Sequence, residues 1–221
     1  MIPTREFLME TVPYMFLPKL KQLDDGTWAE RSEDEVDEDF KMGFIQTPQS
    51  FYNPDLFQFN FYSEKRIPNE QDFFFREINV GRNRANAPIY AGSNTLISRE
   101  ALDEVGGIAT GTITEDFETG IKIQAKGYTC YALDKALAHT DIDSLIRQRV
   151  RWGRGCISSL RHVHLLFHPN LKLNTKLSYI SCWLYWWTFF RRFIYIISPI
   201  LFVVFGIPVV ICGLWELLLI W

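Results

Sequence analysis

The feature that most constrains this chain is a charge-free stretch near its C-terminus. Residues 193–215 (FIYIISPILFVVFGIPVVICGLW) hold no acidic or basic side chain, and about 20 apolar residues suffice to cross a bilayer as one helix. The stretch predicts a transmembrane helix, with residues 193–221 as the membrane region. Pro199 and Pro208 would bend this helix, which is tolerated when neighbouring groups satisfy the freed backbone atoms. A buried hairpin of a soluble protein is the alternative, and the length without charge disfavours it.

A second apolar stretch lies just before the first. Residues 177–190 (LSYISCWLYWWTFF) are rich in Trp and Tyr but too short for a span, so they predict an interfacial or re-entrant helix. Residues 161–192 are therefore interpreted as an amphipathic, interfacial region. The positive-inside rule places the flanking basic side chains, and the part of the chain before them, on the cytoplasmic side of the cell (inner) membrane. These basic residues are Arg147, Arg149, Arg151, Arg154, Arg161, Arg191 and Arg192.

Charge and cysteine spacing exclude two classes of function. The net charge is −3 and no long Lys/Arg run occurs, which disfavours nucleic acid as a partner. The four cysteines lie too far apart for a CxxC metal knuckle or redox pair, and a reduced cytosolic face fits them. They are Cys130, Cys156, Cys182 and Cys212.

The first 160 residues predict a mixed α/β domain. Residues 41–46 (KMGFIQ) and 129–133 (TCYAL) have the composition of short buried strands. Residues 115–126 have helical spacing and are followed by a glycine suited to end a helix. Residues 144–160 also predict a helix. Strands and helices of this kind predict the α/β fold class.

Two segments invite a metal interpretation. The acidic residues 30–39 (ERSEDEVDED) lack the ordered spacing and central glycine of a calcium loop, so a solvated loop is favoured. His162, His164 and His168 are interleaved with apolar residues, a pattern more typical of an amphipathic segment on a membrane surface than of a ligand shell. No metal site is predicted from either segment.

Three motifs carry the chemistry. Residues 112–116 (TITED) place two adjacent carboxylates, Glu115 and Asp116, at a helix start, which alone could be ordinary helix capping. Residues 148–152 (QRVRW) form a QxxRW pentapeptide, and residues 90–93 (YAGS) precede both. In this order, ahead of an aromatic membrane segment, the three motifs resemble the processive family 2 glycosyltransferases, cellulose synthase and its relatives. Three further segments agree with this resemblance: residues 44–55 (FIQTPQSFYNPD), 105–108 (VGGI) and 127–128.

The resemblance implies a fold and a reaction. Residues 1–160 would be the C-terminal, acceptor-side part of a GT-A type nucleotide-sugar transferase domain. The expected activity is membrane-bound, inverting and processive transfer of a hexose from a UDP-sugar to a growing polysaccharide. Such a reaction needs a base for the acceptor hydroxyl, help for the departing diphosphate and a platform for the acceptor. Glucose and cellulose are preferred, with mixed glucan, chitin and hyaluronan as open alternatives.

The same resemblance implies roles for individual residues. Asp116 would be the catalytic base, and Glu115 would orient it or bind the acceptor, with a helix cap or ion-pair partner as the alternative. Trp152 would stack on the acceptor sugar, or else anchor the chain at the membrane interface. The diphosphate would be bound by Gln148, Arg149 and Arg151. Further acceptor contacts would come from Thr114, Tyr90, Gly92 and Ser93, although Ala91 stands where cellulose synthases often have Cys.

The resemblance implies Mg²⁺ or Mn²⁺ held by a DxD motif and a separate Asp for the uridine, both in an N-terminal portion that is expected to be missing here. Asp37 and Asp39 lie in the acidic loop and are not expected to replace that motif. Residues 2–5 (IPTR) resemble the stretch just after DxD, so a C-terminal fragment that cannot act alone is expected. The alternative function is a non-catalytic membrane partner, or degenerate subunit, of a polysaccharide synthase, which would bind other synthase subunits.

Overall fold

The chain forms two compact units, Met1–Ile180 and Ser181–Trp221. The computed structural model describes residues 2–3, 6–51, 62, 66, 70–135, 138–140 and 145–207. The first unit is mixed α/β, as the sequence predicts. The division between the units falls after Ile180, within the stretch predicted to be interfacial.

The first unit contains short strands and helices. The strands are β1 (Ile2–Pro3), β2 (Leu20–Gln22), β3 (Trp28–Glu30), β4 (Met42–Gln46), β5 (Gln49–Phe51), β6 (Thr95–Ile97), β7 (Thr129–Ala132) and β8 (Ala138–Thr140). The helices are α1 (Phe7–Met15), α2 (Glu70–Phe73, continued by a π-helical segment Phe74–Asn79), α3 (Arg99–Glu104), α4 (Glu115–Ala125), α5 (Leu145–His162) and α6 (Leu173–Trp186). Both predicted strands and both predicted helices of this unit are confirmed within two residues at each end.

A three-stranded sheet in the order β6-β4-β7 forms the centre of the first unit. Strand β4 pairs antiparallel with β6 and parallel with β7, and all five of its residues are buried. Helix α4 packs directly on it, because Gly43 has no side chain: a Cβ there would lie 2.5 Å from Cγ2 of Ile123. The core around this contact includes Phe44, Tyr90, Tyr128 and Cys130.

Two smaller sheets accompany the central one. The first has the order β1-β8-β5, and the second is the hairpin β2-β3. The hairpin turns at Gly26, which has a φ of +83°, and Asp25 accepts a hydrogen bond from the backbone N–H of Thr27 at 2.9 Å. The acidic residues beyond the hairpin are mostly exposed and include a short 3-10 turn, Glu33–Glu35. This agrees with the solvated loop predicted there.

The first half of α6 belongs to the α/β unit. Tyr179 is 1% exposed, and its hydroxyl donates to Oε1 of Gln124 at 2.6 Å. The Oγ1 of Thr175 donates to the carbonyl oxygen of Ala85 at 2.6 Å. The predicted interfacial stretch therefore begins as a packed part of the domain. Its aromatic residues after Ile180 lie in the second unit.

The second unit contains the end of α6 and helix α7 (Thr188–Phe205). The ring of Trp187 packs on Trp183 and on Phe190, each with centroids 5.3 Å apart. The helix predicted over residues 193–215 begins earlier and ends at Phe205, because Gly206 adopts a left-handed conformation with a φ of +65°. Pro208 in the sequence also disfavours helical backbone at Ile207. The rest of the predicted helix, and Cys212, lie outside the described residues.

Within the described part of the chain, no single helix has the length and apolarity needed to cross a bilayer. The pair Leu173–Trp186 and Phe190–Phe205 meets both requirements when taken together, with a bend of 49° between its members.

Candidate active site

The two adjacent carboxylates stand in the first turn of α4. Glu115 is exposed, whereas Asp116 is partly buried. The Oδ1 atom of Asp116 accepts a hydrogen bond from the backbone N–H of Phe117 at 2.7 Å. Negative charge is favoured at the N-terminus of a helix, because the free N–H groups point toward it. The helix start therefore holds the Asp116 carboxylate in a defined orientation.

The loop of residues 90–94 approaches Asp116 through its glycine. Gly92 has a φ of +75°, and a Cβ at this position would lie 2.8 Å from Oδ2 of Asp116. Only glycine meets both conditions, because other residues rarely adopt this φ and a side chain would collide with the carboxylate. The structure thus brings together two predicted motifs that are distant in the sequence.

Helix α5 is attached to a different segment, residues 112–114, which form the TED loop just before α4. A Cβ on Gly155 would lie 2.2 Å from Cγ2 of Thr114, so the helix backbone passes directly over this threonine. The hydroxyl of Ser159 lies 3.0 Å from that of Thr112 and 3.3 Å from that of Thr114. This packing fixes α5, and the QxxRW motif on it, against the TED motif.

The QxxRW side chains share the face of α5 that contacts the TED loop. Gln148, Arg151 and Trp152 precede Gly155 by seven, four and three residues, respectively. Residues with these spacings lie on one side of a helix. Gln148, Arg149 and Trp152 are partly buried and Arg151 is exposed. The charge of Arg151 is close enough to Asp116 to lower the pKa of its carboxyl.

Burial dominates the ionisation of Asp116. Loss of hydration raises the pKa of its carboxyl above the ordinary value, and the negative charge of Glu115 raises it further. The N–H of Phe117 and the charge of Arg151 lower the pKa, but by less than the other two effects raise it. A carboxylate with a raised pKa is a stronger proton acceptor, which suits a general base.

Neutralising Glu115 and neutralising Arg151 are expected to move the pKa of Asp116 in opposite directions. Glu115→Gln removes a repulsive negative charge and should lower it, whereas Arg151→Gln removes an attractive positive charge and should raise it. NMR titration of the Asp116 carboxyl carbon in each variant measures both shifts. Glu33→Gln, at an exposed position of the acidic loop, is the control that should leave the titration unchanged. Shifts of the same sign in the two site variants would contradict this assignment.

A family model described as "Glycosyl transferase family group 2" matches residues 26–221 of the chain. The chain belongs to this glycosyltransferase family. Its TED, QxxRW and YAGS motifs are thus parts of one family domain.

The curated relatives carry the name cellulose synthase. The chain is 34% identical over 172 residues to "Cellulose synthase catalytic subunit [UDP-forming]" of Pseudomonas fluorescens, covering 76% of this chain and 23% of that protein. It is 37% identical over 151 residues to the protein of the same name from Xanthomonas axonopodis pv. citri, covering 66% and 21%. "Cellulose synthase 1" of Komagataeibacter xylinus is 33% identical over 209 residues, covering 93% and 12%. The chain therefore spans less than a quarter of the length of each of these relatives.

In this member of the family, Tyr90 lies in the core rather than on the surface of the site. Its side chain is 9% exposed, and its ring centroid is 5.6 Å from that of Phe44. Burial raises the pKa of its hydroxyl, with further contributions from Asp116 and Glu115. Ser93 accepts a hydrogen bond from the Gln49 side chain. An acceptor contact from Tyr90 or Ser93 stays a prediction.

The structure adds residues that the motif analysis did not single out. Gly155 and Ser159 attach α5 to the TED loop, and Glu118 forms a second link by pairing with His162. A glycine inside a strongly helical pattern was the available signal for Gly155, since such glycines often mark close packing. The pairing of Glu118 with His162 had no sequence signal, because the two residues are far apart along the chain.

Glu118 links α4 to α5 from a fully buried position. Its carboxylate is 0% exposed and lies 2.8 Å from Nζ of Lys122 and 3.0 Å from Nδ1 of His162. Burial by itself would raise the pKa of Glu118, but the hydrogen bonds and charges of Lys122 and His162 outweigh it, so the pKa lies below the ordinary value. His162, considered above as a metal ligand, is thus a partner of this carboxylate.

Glu118→Gln is expected to remove an acid-sensitive part of the stability. Because the folded-state pKa is depressed, the contribution of Glu118 is present above the unfolded value of about 4.3 and is lost as pH falls through the folded value. At pH 7 the variant should unfold about 2–4 °C lower, which corresponds to the loss of about 1 kcal/mol in a chain of this size. Below pH 4 its midpoint should approach that of the wild type.

Tryptophan fluorescence during thermal unfolding in detergent, between pH 3 and pH 8, measures this convergence. Glu38→Gln is the matched control, since Glu38 is an exposed carboxylate in the acidic loop. A constant difference between Glu118→Gln and wild type across this range would show that the carboxylate charge is not what stabilises the link.

The divalent cation implied by the resemblance finds no ligand set in the described part of the chain. No group of three or more His, Cys, Asp and Glu side chains there could hold a metal ion. The described residues therefore supply no such ligand set, and none of the roles of Asp116, Arg151 or Gln148 depends on the cation.

Proposed function

We propose that this chain carries the acceptor-side and catalytic-base part of a membrane-bound, inverting, processive glycosyltransferase. The proposed reaction transfers a hexose, preferably glucose, from a UDP-sugar to a growing polysaccharide such as cellulose. Family membership and the names of the relatives, cellulose synthase catalytic subunits, support this choice.

One observation carries the proposal, the surroundings of Asp116. This partly buried carboxylate has a raised pKa, lies against the backbone of Gly92 and is close enough to Arg151 to feel its positive charge. In the proposed step, Asp116 takes the proton from the acceptor hydroxyl as that oxygen attacks the anomeric carbon. The bond from the anomeric carbon to the diphosphate oxygen breaks, and UDP leaves with the bonding electrons. Attack from the face opposite the leaving group inverts the configuration.

The other site residues have supporting roles in this proposal. Arg151, assisted by Gln148 and Arg149, stabilises the negative charge that grows on the diphosphate. The indole of Trp152 offers an apolar face to the sugar ring of the acceptor. Glu115 is exposed beside Asp116 and orients the acceptor through hydrogen bonds. The adjacent Thr114 belongs to the same acceptor site. The Mg²⁺ or Mn²⁺ that such enzymes use has no group of three or more His, Cys, Asp and Glu ligands among the described residues.

The proposed location is the cytoplasmic face of the inner membrane. The exposed Arg191 and Arg192 in the first turns of α7 suit the phosphate-rich interface. The exposed apolar side chains that follow along α7, among them Phe202, Val203 and Phe205, suit the hydrocarbon region. Partners in this setting are the UDP-sugar donor, the polysaccharide acceptor, lipid and other synthase subunits.

Product analysis with membranes from the native cells tests the proposed function. The membranes are incubated with radiolabelled UDP-glucose, UDP-N-acetylglucosamine or UDP-glucuronate together with Mg²⁺, and insoluble polymer is collected. We expect label from UDP-glucose alone to enter a product that a β-1,4-glucanase releases. Equal incorporation in membranes that lack the gene would refute the proposal, and label from another donor would change the assigned sugar.

A further inference from the structure

The side chain of Gln46 connects the end of the central strand to the loop of residues 90–94. Gln46 is the last residue of β4, and its side chain is 0% exposed. Its Nε2 group donates to the carbonyl oxygens of Thr47 and Ser93, each at 2.8 Å. Both hydrogens of this amide therefore form hydrogen bonds, and one of them binds Ser93, the residue that follows Gly92.

The oxygen of the same amide holds the other side of Gly92. Its Oε1 accepts a hydrogen bond from the backbone N–H of Ala91 at 2.8 Å and one from the Oγ1 of Thr95 at 2.6 Å. Donors face the oxygen and acceptors face the nitrogen, so only one orientation of the amide satisfies all four contacts. One buried side chain therefore holds the two residues that flank Gly92.

The shape of this loop requires such contacts. Gly92 and Asn94 both have left-handed backbones, with φ values of +75° and +57°. A non-glycine residue such as Asn94 persists in that conformation only when its surroundings enforce it. The carbonyl oxygen of Asn94 accepts from both the N–H and the Oγ1 of Thr47 at 2.9 Å, which adds a second attachment to the same strand end.

The shape of the loop brings the backbone of Gly92 close to Asp116. The backbone of Gly92 lies so near Oδ2 of Asp116 that a methyl group would not fit between them. Displacing the loop would open this side of the carboxylate to water. The amide of Gln46 bonds to the loop rather than to Asp116, so its influence on Asp116 passes through the loop.

We propose that Gln46 is a positioning residue of this site, whose side-chain amide holds residues 90–94 so that the backbone of Gly92 shields the Asp116 carboxylate. The catalytic meaning of this arrangement rests on the proposed function of Asp116. The positioning itself is a property of the folded chain and can be measured without sugar transfer.

The test replaces Gln46 with Met, which keeps the length of the side chain and removes every hydrogen bond. NMR of the full 221-residue chain in detergent micelles follows the hydrogen exchange of the Ala91 amide and the titration of the Asp116 carboxyl. We expect exchange at Ala91 to become about tenfold faster or more, since its acceptor is lost. We also expect the pKa of Asp116, which burial raises, to fall toward its ordinary value.

Gln124→Met is the matched control. Gln124 is 3% exposed, and its amide is also paired on both sides, with the carbonyl oxygen of Pro88 at 2.9 Å and the hydroxyl of Tyr179 at 2.6 Å. The control should lower the thermal stability, as Gln46→Met does, without changing Ala91 exchange or Asp116 titration. Equal changes in the two variants, or none in Gln46→Met, would overturn the proposal.

A second variant keeps the test decisive should Gln46→Met not fold. Gln46→Asn keeps a neutral amide but is one methylene shorter, so it cannot reach Ala91 and Ser93, whose hydrogen bonds to the Gln46 amide are each 2.8 Å long. It should move Asp116 titration in the same direction as Gln46→Met, and an unchanged titration would overturn the proposal. Because neither readout requires transfer, the absence of gene-dependent polymer formation in native membranes would count against the proposed function alone.

Discussion

Replacing Asp116 with Asn in the native gene is expected to reduce polymer formation by about 10²–10⁴-fold, the usual contribution of a general base. Asparagine keeps the size and the contact with Gly92 but cannot accept the hydroxyl proton. Membranes from the variant, supplied with radiolabelled UDP-glucose, measure the rate of incorporation into insoluble polymer. Immunoblotting of the membrane fraction should show unchanged abundance, because the polar contact with the N–H of Phe117 can be made by the amide oxygen.

Two controls separate a catalytic role from a structural one. Asp103→Asn makes the same chemical change at an exposed position of α3 and should leave the rate unchanged. Deletion of the gene tests the alternative of a non-catalytic partner subunit. If deletion stops polymer formation while Asp116→Asn does not, the chain supports synthesis without acting as the base, and the proposed function fails.

Replacing Gly155 with Ala is expected to separate the TED and QxxRW motifs. The new methyl group would lie 2.2 Å from Cγ2 and 2.5 Å from Oγ1 of Thr114, which is far inside van der Waals contact, so α5 must move. Overpacking of a fitted contact typically costs about 1–3 kcal/mol. Displacement of Arg151 from Asp116 by even about 1 Å can lower a rate by about a hundredfold. Thermal unfolding in detergent and polymer formation by native membranes measure the two effects.

Gly81→Ala is the matched control for this substitution. Gly81 has a helical backbone, with a φ of −57°, and no atom lies within 4 Å of its added Cβ, so alanine there should be neutral or slightly stabilising. Thr114→Ser in the Gly155→Ala background removes the methyl group that is struck and should restore part of the stability. A Gly155→Ala protein as stable and active as the Gly81→Ala protein would show that α5 is not fitted to the TED loop.

The elements that the sequence predicted well are those whose local pattern and packing agree. Strand β4 and helix α4 carry strong patterns of their own, and tertiary contacts reinforce them, so both were predicted within one residue at each end. The helix predicted over residues 193–215 has different bounds in the structure, because the prediction rested on hydrophobicity alone. Hydrophobicity reports burial or membrane contact but does not register the left-handed backbone of Gly206 that ends α7 at Phe205.

The sequence by itself determined the family, since the TED, QxxRW and YAGS motifs are local patterns that need no knowledge of contacts. It also identified Asp116 as the candidate base. Only the tertiary structure decided what surrounds that carboxylate: the backbone of Gly92 beside it, α5 fitted to Thr114 through Gly155, and the loop held by Gln46. The physical reason is that burial and close packing depend on which distant segments meet, whereas the motifs are patterns of neighbours along the chain.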